Sequence, residues 1–408
     1  MMRLPSALLA MCDQALVSGA SFAVTAALAR CSAADDFGRF SLGLTVAVTL
    51  MGVHQALVLS PQAMLAPERS REDGLAYQAA LDRLHLLLVL AGLAAALPLA
   101  LAGGVARLAA ATLAALVCRM AAEHVRRSAY ARGQASSALV VDAVGYLPLA
   151  VVAGCLWHRP LPLPPDAGLW LLAAAGALSW AFSSWRHRIA AEAEPLRQVA
   201  AAHWRQGRIL LASTVVQWAS ELVYPFLVAG MLGLREVGLL LAARTLMNMG
   251  NVALNGIEAW GVPKLRRDLL TKGAACFVRS AWQVSCFLVG LIAVLGTLVC
   301  LAPGRVMGLV FGAGYSEAGW ILMAFAGIFV LRAAGRSLAM VLIALKRPDA
   351  GLVGTCITAG LTLTLGPMLV AHAGLAGAVT AFAGNAAIMV VVLAVGLRGC
   401  NLAEKTCG

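Results

Sequence analysis

Residues 237–260 read VGLLLAARTLMNMGNVALNGIEAW. As a helix this stretch is about 36 Å long, enough to cross the roughly 30 Å hydrocarbon layer of a bilayer. It nevertheless carries Arg244, Asn248, Asn251, Asn255 and Glu258. Their spacing of four, three, four and three residues sets all five on one helical face. The stretch predicts a membrane-spanning helix with a polar stripe along most of its length. How many such helices the chain holds, and what the stripe faces, are the questions that decide fold and function.

Composition makes the chain a polytopic membrane protein. Of its 408 residues 61% are hydrophobic and 12% charged, against roughly 25% charged in soluble domains. Mean hydropathy is +0.85. The length accommodates twelve spans of about 20 residues joined by short loops, with no sizeable soluble domain left over. A net charge of +12 does not read as nucleic-acid binding, because the basic residues sit in loops between apolar runs and lack interleaved aromatics. The ten cysteines form no CxxC pair and read as packing thiols, not as metal or redox sites. Arg3 and the apolar run after it imitate a signal peptide. Asp13 and Gln14 interrupt that run, which is read as an uncleaved first span.

Apolar runs place helical spans near 9–29, 40–59, 84–104, 108–128, 137–156, 168–185, 209–230, 237–258, 277–301, 319–340, 351–371 and 375–397. With the N-terminus in the cytoplasm, 21 of the 31 Lys and Arg fall on the inner side, among them Arg3, Arg188, Lys346 and Lys405. Six face outward: Arg30, Arg39, Arg107, Arg159, Arg235 and Arg305. The remaining four, Arg119, Arg244, Arg332 and Arg336, lie within spans. This bias predicts cytoplasmic termini. The longest loop, 186–208, joins spans six and seven on the inside and predicts a surface helix with Trp204 at the headgroups.

The chain divides into two related halves, 1–208 and 209–408. DDFGRFSLGLTVAVTLMGVHQALVLSPQAML (35–65) matches LREVGLLLAARTLMNMGNVALNGIEAWGVPKL (234–265) in pattern: Gly38 aligns with Gly238 and Pro61 falls near Pro263. Six spans per half give both repeats the same orientation. The fold expected is therefore all-α, with two six-helix lobes related by a pseudo-two-fold along the membrane normal. In this register Leu44, Val48, Met51 and Val58 stand opposite Arg244, Asn248, Asn251 and Glu258, and only Gln55 matches Asn255 in polarity. The stripe is an addition of the second half and reads as substrate-facing.

No P-loop, GxSxG, HExxH or metal-ligand cluster is present. The signal lies in intramembrane polarity, since a charge at bilayer centre costs about 2.5–3.5 kcal/mol even on the lenient insertion scale. Asp13 adjoins a polar face of span one, with an interfacial position as its other reading. Arg119 and Glu123 are one turn apart on span four and read either as a self-neutralising pair or as site residues. His124 beside them reads as packing, with a proton relay the alternative. Span seven sets Gln217, Glu221 and Tyr224 on one face. Glu221 reads as a proton-coupling acid or as the static partner of an interior arginine. Asp142 lies on span five. Arg332 and Arg336 share one face of span ten and repel unless an anion or acid lies between them. Four intramembrane arginines and no lysine suit bidentate phosphate recognition. A carrier of organic cations calls for acids and aromatic cages, and aromatics are only 6% here.

The stretches DQALVSGASFAVTAALARCSAADDFGRFSL (13–42), LGLREVGLLLAARTL (232–246), GLVFGAGYSEAGWIL (308–322) and AGLAGAVTAFAGNAA (373–387) resemble the Wzx-like polysaccharide flippases of the multidrug/oligosaccharidyl-lipid/polysaccharide superfamily. The resemblance covers essentially the whole chain. It implies a V-shaped bundle with a charged central cleft that alternates access. It also implies a bacterial inner-membrane location and an undecaprenyl-pyrophosphate-linked oligosaccharide as substrate, moved from the cytoplasmic to the periplasmic leaflet for surface polysaccharide synthesis. A polysaccharide polymerase and a chain-length regulator are implied partners. Arg30, in the ALAR step, matches a family-typical arginine. The resulting expectation is a non-enzymatic flippase. Its substrate is held by Arg244, Asn248, Asn251, Asn255, Arg332, Arg336, Arg119 and Arg30. Glu221, Asp142, Glu123, Glu258 and Asp13 couple H+ or Na+ or balance charge, and no cofactor is expected. The competing readings are a cation or drug antiporter of the same superfamily and, further off, a polysaccharide polymerase or ligase.

Overall fold

The computed structural model of the chain describes residues 6–66, 69–186, 193–345, 347 and 349–398. Arg3, Arg188, Lys346, Lys405, Cys400 and Cys407 lie outside the described residues. Every regular element among those described is helical. Among the described residues ten helices are long and apolar enough to cross a membrane. The chain condenses into two compact units, Met1–Val215 and Val216–Gly408.

The first unit holds α1 (Ser6–Cys31), α2 (Ala34–His54), α3 (Ser60–Leu65), α4 (Arg71–Ala102), α5 (Gly104–Ala131), α6 (Ala135–His158) and α7 (Ala167–Arg186), and most of α8 (Leu196–Glu221). At its middle lies α5, which packs on α2, α4, α6 and α7. Its buried face is small: Ala110, Ala111, Ala114, Ala115, Ala121 and Ala122, residues that let helices approach closely without a hydrophobic drive from water. Val17 and Val24 of α1, Tyr146 and Leu149 of α6 and Leu172 of α7 fill the core beside it. The start of α4 is fixed by Ser70, whose Oγ accepts the Asp73 amide at 3.2 Å, an N-cap that satisfies a first-turn donor.

Span two is longer than expected and is not a plain α-helix. Between α2 and α3 lies a π-helical turn, Gln55–Leu59. Pro61 has no N–H to offer the carbonyl of Leu57 four residues back. That carbonyl instead accepts His203 Nδ1–H from α8 at 3.0 Å. The surface helix expected in loop 186–208 does not stand apart. No proline interrupts 196–221, so α8 runs unbroken into span seven.

The second unit holds the end of α8, then α9 (Val223–Met231), α10 (Leu234–Asn248), α11 (Gly250–Cys300), the short α12 (Pro303–Phe311), a 3₁₀ turn (Ala313–Ala318), α13 (Gly319–Ala344) and α14 (Asp349–Arg398). Here α13 takes the middle, against α10, α11, α12 and α14. Both α11 and α14 are two spans joined by a reversal. The reversal residues are Gly273 (φ 79°, ψ 178°) and Gly374 (φ 57°, ψ −134°), in backbone regions that residues with a Cβ avoid. With α10 and the first part of α11 taken as one span, and the two sides of each reversal counted separately, the described residues give the twelve helical spans expected. Residues 237–258 are not one helix. Asn248 ends α10, and the Met249 amide turns back to Leu246 O at 3.3 Å before α11 begins. Asn248 Oδ1 accepts Asn251 Nδ2–H at 3.1 Å, the local side-chain bonding by which Asn competes with helix.

Candidate functional site

A cavity of about 540 Å³ opens inside the second unit. Its polar wall comes from Gln217, Ser220 and Glu221 of α8, Asn251 and Asn255 of α11, and Arg332 and Arg336 of α13. Thr355, Thr358 and Asn385 of α14 complete it. Phe382, Met389 and Leu393 make it partly apolar.

Glu221 reaches the cavity because the spanning helix breaks there. Leu222 (φ −95°, ψ −9°) separates α8 from α9, and Pro225 cannot donate to the Glu221 carbonyl. The neighbouring Ser220 carbonyl is closed from α14: Asn385 Nδ2–H donates to it at 2.9 Å and Thr362 Oγ–H at 3.1 Å. Asn385 also donates to Thr362 Oγ1 at 2.8 Å, and Tyr224 Oη donates to the same oxygen at 3.2 Å. Irregular backbone at membrane depth persists only where protein or a cavity satisfies it. Gln217 and Tyr224 therefore do not share one face: Gln217 lines the cavity and Tyr224 is buried beyond the break.

Three arginines meet two carboxylates. Arg332 Nη2 donates to Glu221 Oε1 at 2.7 Å and Oε2 at 2.8 Å. Arg244 Nη2 lies 3.5 Å from Glu221 Oε2, and its guanidinium stands 5.2 Å from the Phe382 ring centroid. Arg336 forks Glu258, Nε to Oε1 at 2.6 Å and Nη2 to Oε2 at 2.9 Å, and Nη2 also donates to Asn255 Oδ1 at 2.8 Å. Glu221 is thus no isolated acid. The repulsion expected between Arg332 and Arg336 is relieved because each has its own carboxylate. The side chains of Arg332 and Arg336 remain 28% and 32% exposed, so both cations stay accessible. This group carries one positive charge more than it balances.

Arg244, Asn248, Asn251, Asn255, Glu258, Arg332, Arg336 and Glu221 all belong to this unit. Arg119, Arg30, Asp13, Glu123 and Asp142 belong to the other. There Arg30 stacks over the Trp157 ring, 4.4 Å from its centroid. Glu123 does not form its ion pair with Arg119. It pairs with Arg126 and with Arg127, whose Nε donates to Oε1 at 3.0 Å. Arg126 Nη1 also lies 3.6 Å from Asp142 Oδ2. Asp13 is fully buried and accepts a hydrogen bond from Tyr130 Oη. The sequence reading missed Arg126, Tyr130, Thr362 and Asn385. Arg126 follows Glu123 at i+3 and Asn385 is a lone amide in an apolar run, signals that were legible. Tyr130 and Thr362 carry no sequence signal of their own. Among the described residues no group of His, Cys, Asp and Glu is placed to hold a metal ion.

No protein-family model matches the sequence, and no curated protein does. Solved structures do. The inward closed conformation of the lipid II flippase MurJ superposes with a TM-score of 0.74 at 12% identity, over 96% of this chain and 87% of that one. An inward-facing multidrug resistance MATE transporter of the MOP superfamily gives 0.77 at 15%, over 98% of this chain and 100% of that one. A MOP-superfamily transporter from Pyrococcus furiosus, described by the reverse polarity of its binding pocket, gives 0.59 at 13%, over 96% and 92%. The chain is a multi-pass membrane protein with the fold of these transporters.

Proposed function

We propose that this protein is a flippase for an undecaprenyl-pyrophosphate-linked oligosaccharide, serving surface polysaccharide synthesis in a bacterial inner membrane. The observation that carries the reading is the arginine excess in the cavity of the second unit. The Glu258 carboxylate occupies the side-on fork of Arg336, and Glu221 holds the donors of Arg332. A pyrophosphate presents the same paired, acceptor-only oxygens and can take either place. Asn251, Asn255, Thr355 and Thr358 then face the sugars, while the lipid tail stays in the bilayer. Transport proceeds by alternating access without covalent chemistry. Asp13 and Asp142 in the first unit, held by Tyr130 and Arg126, are the groups for H+ or Na+ coupling. Both termini are cytoplasmic, and a polymerase and a chain-length regulator are the expected partners.

A cation or drug antiporter is the second reading, favoured by the MATE likeness. The two are separated in cells lacking the native protein. Arg332→Ala and Arg336→Ala, expressed at wild-type level, are expected to leave lipid-linked oligosaccharide on the inner leaflet and to abolish surface polysaccharide. Normal surface polysaccharide with both variants overturns the assignment. Export of cationic dyes that survives these variants and fails in Asp13→Asn establishes the antiporter.

A further inference from the structure

Arg244 opens the polar stripe that runs to Glu258, yet it does not line the cavity. Among the described residues the wall takes its charges from Glu221, Arg332 and Arg336. The Arg244 side chain is 12% exposed, against 28% for Arg332 and 32% for Arg336. From α10 it reaches the end of α8, where its Nη2 lies 3.5 Å from Glu221 Oε2. It also reaches α14, where its guanidinium stands 5.2 Å from the Phe382 ring centroid. A ligand in the cavity therefore meets Arg332 and Arg336, and Arg244 acts on it through Glu221.

The two carboxylates of the site are held differently. Glu258 takes a two-nitrogen fork, Arg336 Nε at 2.6 Å and Nη2 at 2.9 Å. Among the described residues it pairs with no second cation. Glu221 takes both of its hydrogen bonds from one nitrogen, Arg332 Nη2, at 2.7 and 2.8 Å, and has Arg244 as a second cation. Paired nitrogens facing paired oxygens make the stronger contact. Arg332 is therefore the arginine that gives up its acid more readily.

What each opening leaves behind decides its cost. An anion on Arg336 leaves Glu258 without a cation, and a partly buried charge that loses its partner is destabilising. An anion on Arg332 leaves Glu221 beside Arg244, 3.5 Å away. Closing that gap to the roughly 2.8 Å of a charge-assisted hydrogen bond takes a shift of about 0.7 Å. A glutamate side chain makes such a shift by small changes in its own torsions.

We infer that Arg244 is a positioning residue for anion uptake, which receives the Glu221 carboxylate when a phosphate group takes Arg332. The inference rests on the reading of the cavity as an anion site and names the arginine that the anion takes. Before the exchange the surplus positive charge of the group is shared by Arg332 and Arg244 across Glu221. After it, Arg244–Glu221 and Arg336–Glu258 are neutral pairs, and the surplus stands on Arg332 in the cavity wall.

The test is isothermal titration of inorganic pyrophosphate into the full-length protein in phosphatidylcholine nanodiscs at low salt, with Arg244→Gln compared in two backgrounds. In the wild type, Arg244→Gln is expected to weaken binding about tenfold, because Glu221 then has no second partner and keeps hold of Arg332. In Glu221→Gln no carboxylate competes for Arg332. There the same substitution is expected to cost about threefold or less, the loss of one nearby charge. A loss in the Glu221→Gln background as large as in the wild type marks a merely structural arginine, and a larger one marks an arginine that touches the anion itself. Either overturns the proposal, and so does the absence of any loss in the wild type. If Arg244→Gln does not fold, Arg244→Lys, which holds a carboxylate through one nitrogen, is compared in the same two backgrounds and the same inequality decides. Wild-type protein that binds no pyrophosphate overturns the anion reading together with the proposal, whereas binding with the opposite inequality overturns the proposal alone.

Discussion

The two units interrupt a spanning helix beside a proline and close the gap from a neighbouring helix, yet they surround it with opposite chemistry. In the first, Pro61 leaves the Leu57 carbonyl to His203, and beside it lie the paired imidazoles of His54 and His85, Nε2 to Nε2 at 2.9 Å. In the second, Pro225 follows the Glu221 break, Asn385 and Thr362 hold the Ser220 carbonyl, and the surroundings are fixed charges, Arg332 and Arg244 on Glu221 and Arg336 on Glu258. Guanidinium stays charged at any physiological pH, whereas imidazole changes charge between pH 5 and 8. The second unit thus sets fixed charges around its break where the first sets hydrogen-bonded rings.

The largest expected effect tests the fixed charges. Arg332→Ala leaves Glu221 with Arg244 at 3.5 Å. It should lower stability by about 2 kcal/mol, less than the 3–5 kcal/mol of a fully buried pair because both side chains are partly exposed. Thermal unfolding in detergent measures this. Adding Glu221→Ala should restore much of the stability without restoring transport. A double variant no more stable than the single one breaks the comparison.

Next come the closed breaks. Asn385→Ala and His203→Ala each strip a donor from a buried carbonyl and should each cost about 1–2 kcal/mol. Similar losses in the melting temperature mean that both units use one device. A silent His203→Ala means that the π-turn holds itself. Gly374→Ala, at φ 57°, should cost about 1 kcal/mol in the same assay, with no counterpart cost at the first unit's α6–α7 loop, which has no positive-φ residue among 159–166.

The smallest effect lies at the helix ends. Arg107 forks Asp166 through Nε and Nη2, both at 2.8 Å. Burial pushes the Asp166 carboxyl up, but the hydrogen bonds from Arg107, its own backbone amide and the Trp170 indole outweigh that and hold it below the usual range. A carboxyl held low stabilises the fold fully above its ordinary value of about 3.9 and loses that contribution as pH falls through the lowered value. Asp166→Asn should therefore lower the melting temperature at pH 7 and narrow its fall between pH 7 and pH 3. The exposed Arg235–Glu317 pair of the second unit should give about 0.5 kcal/mol or less on Glu317→Gln.

The helices were legible because apolar runs, loop charges and punctuating Gly and Pro act through local geometry and solvent transfer. Twelve spans and the all-α class follow from them. Polar placement was legible only in part. The stripe of Arg244, Asn248, Asn251, Asn255 and Glu258 was visible as a period, but its break at Met249 was not, since one tightened turn leaves the period nearly intact. Arg126 borders a basic run in the sequence, whereas in the fold it lies buried on Glu123 and Asp142.

What the sequence determined by itself is therefore the membrane class, the helices and the existence of intramembrane charge, each set by transfer free energy over a few neighbouring residues. Partnership was decided by tertiary structure alone. Glu221 and Arg332 are 111 residues apart, Arg336 and Glu258 78, and His54 and His85 31. Which acid neutralises which arginine, and which imidazole meets which, depends on helix rotation and on sub-ångström hydrogen-bond geometry that no local pattern encodes.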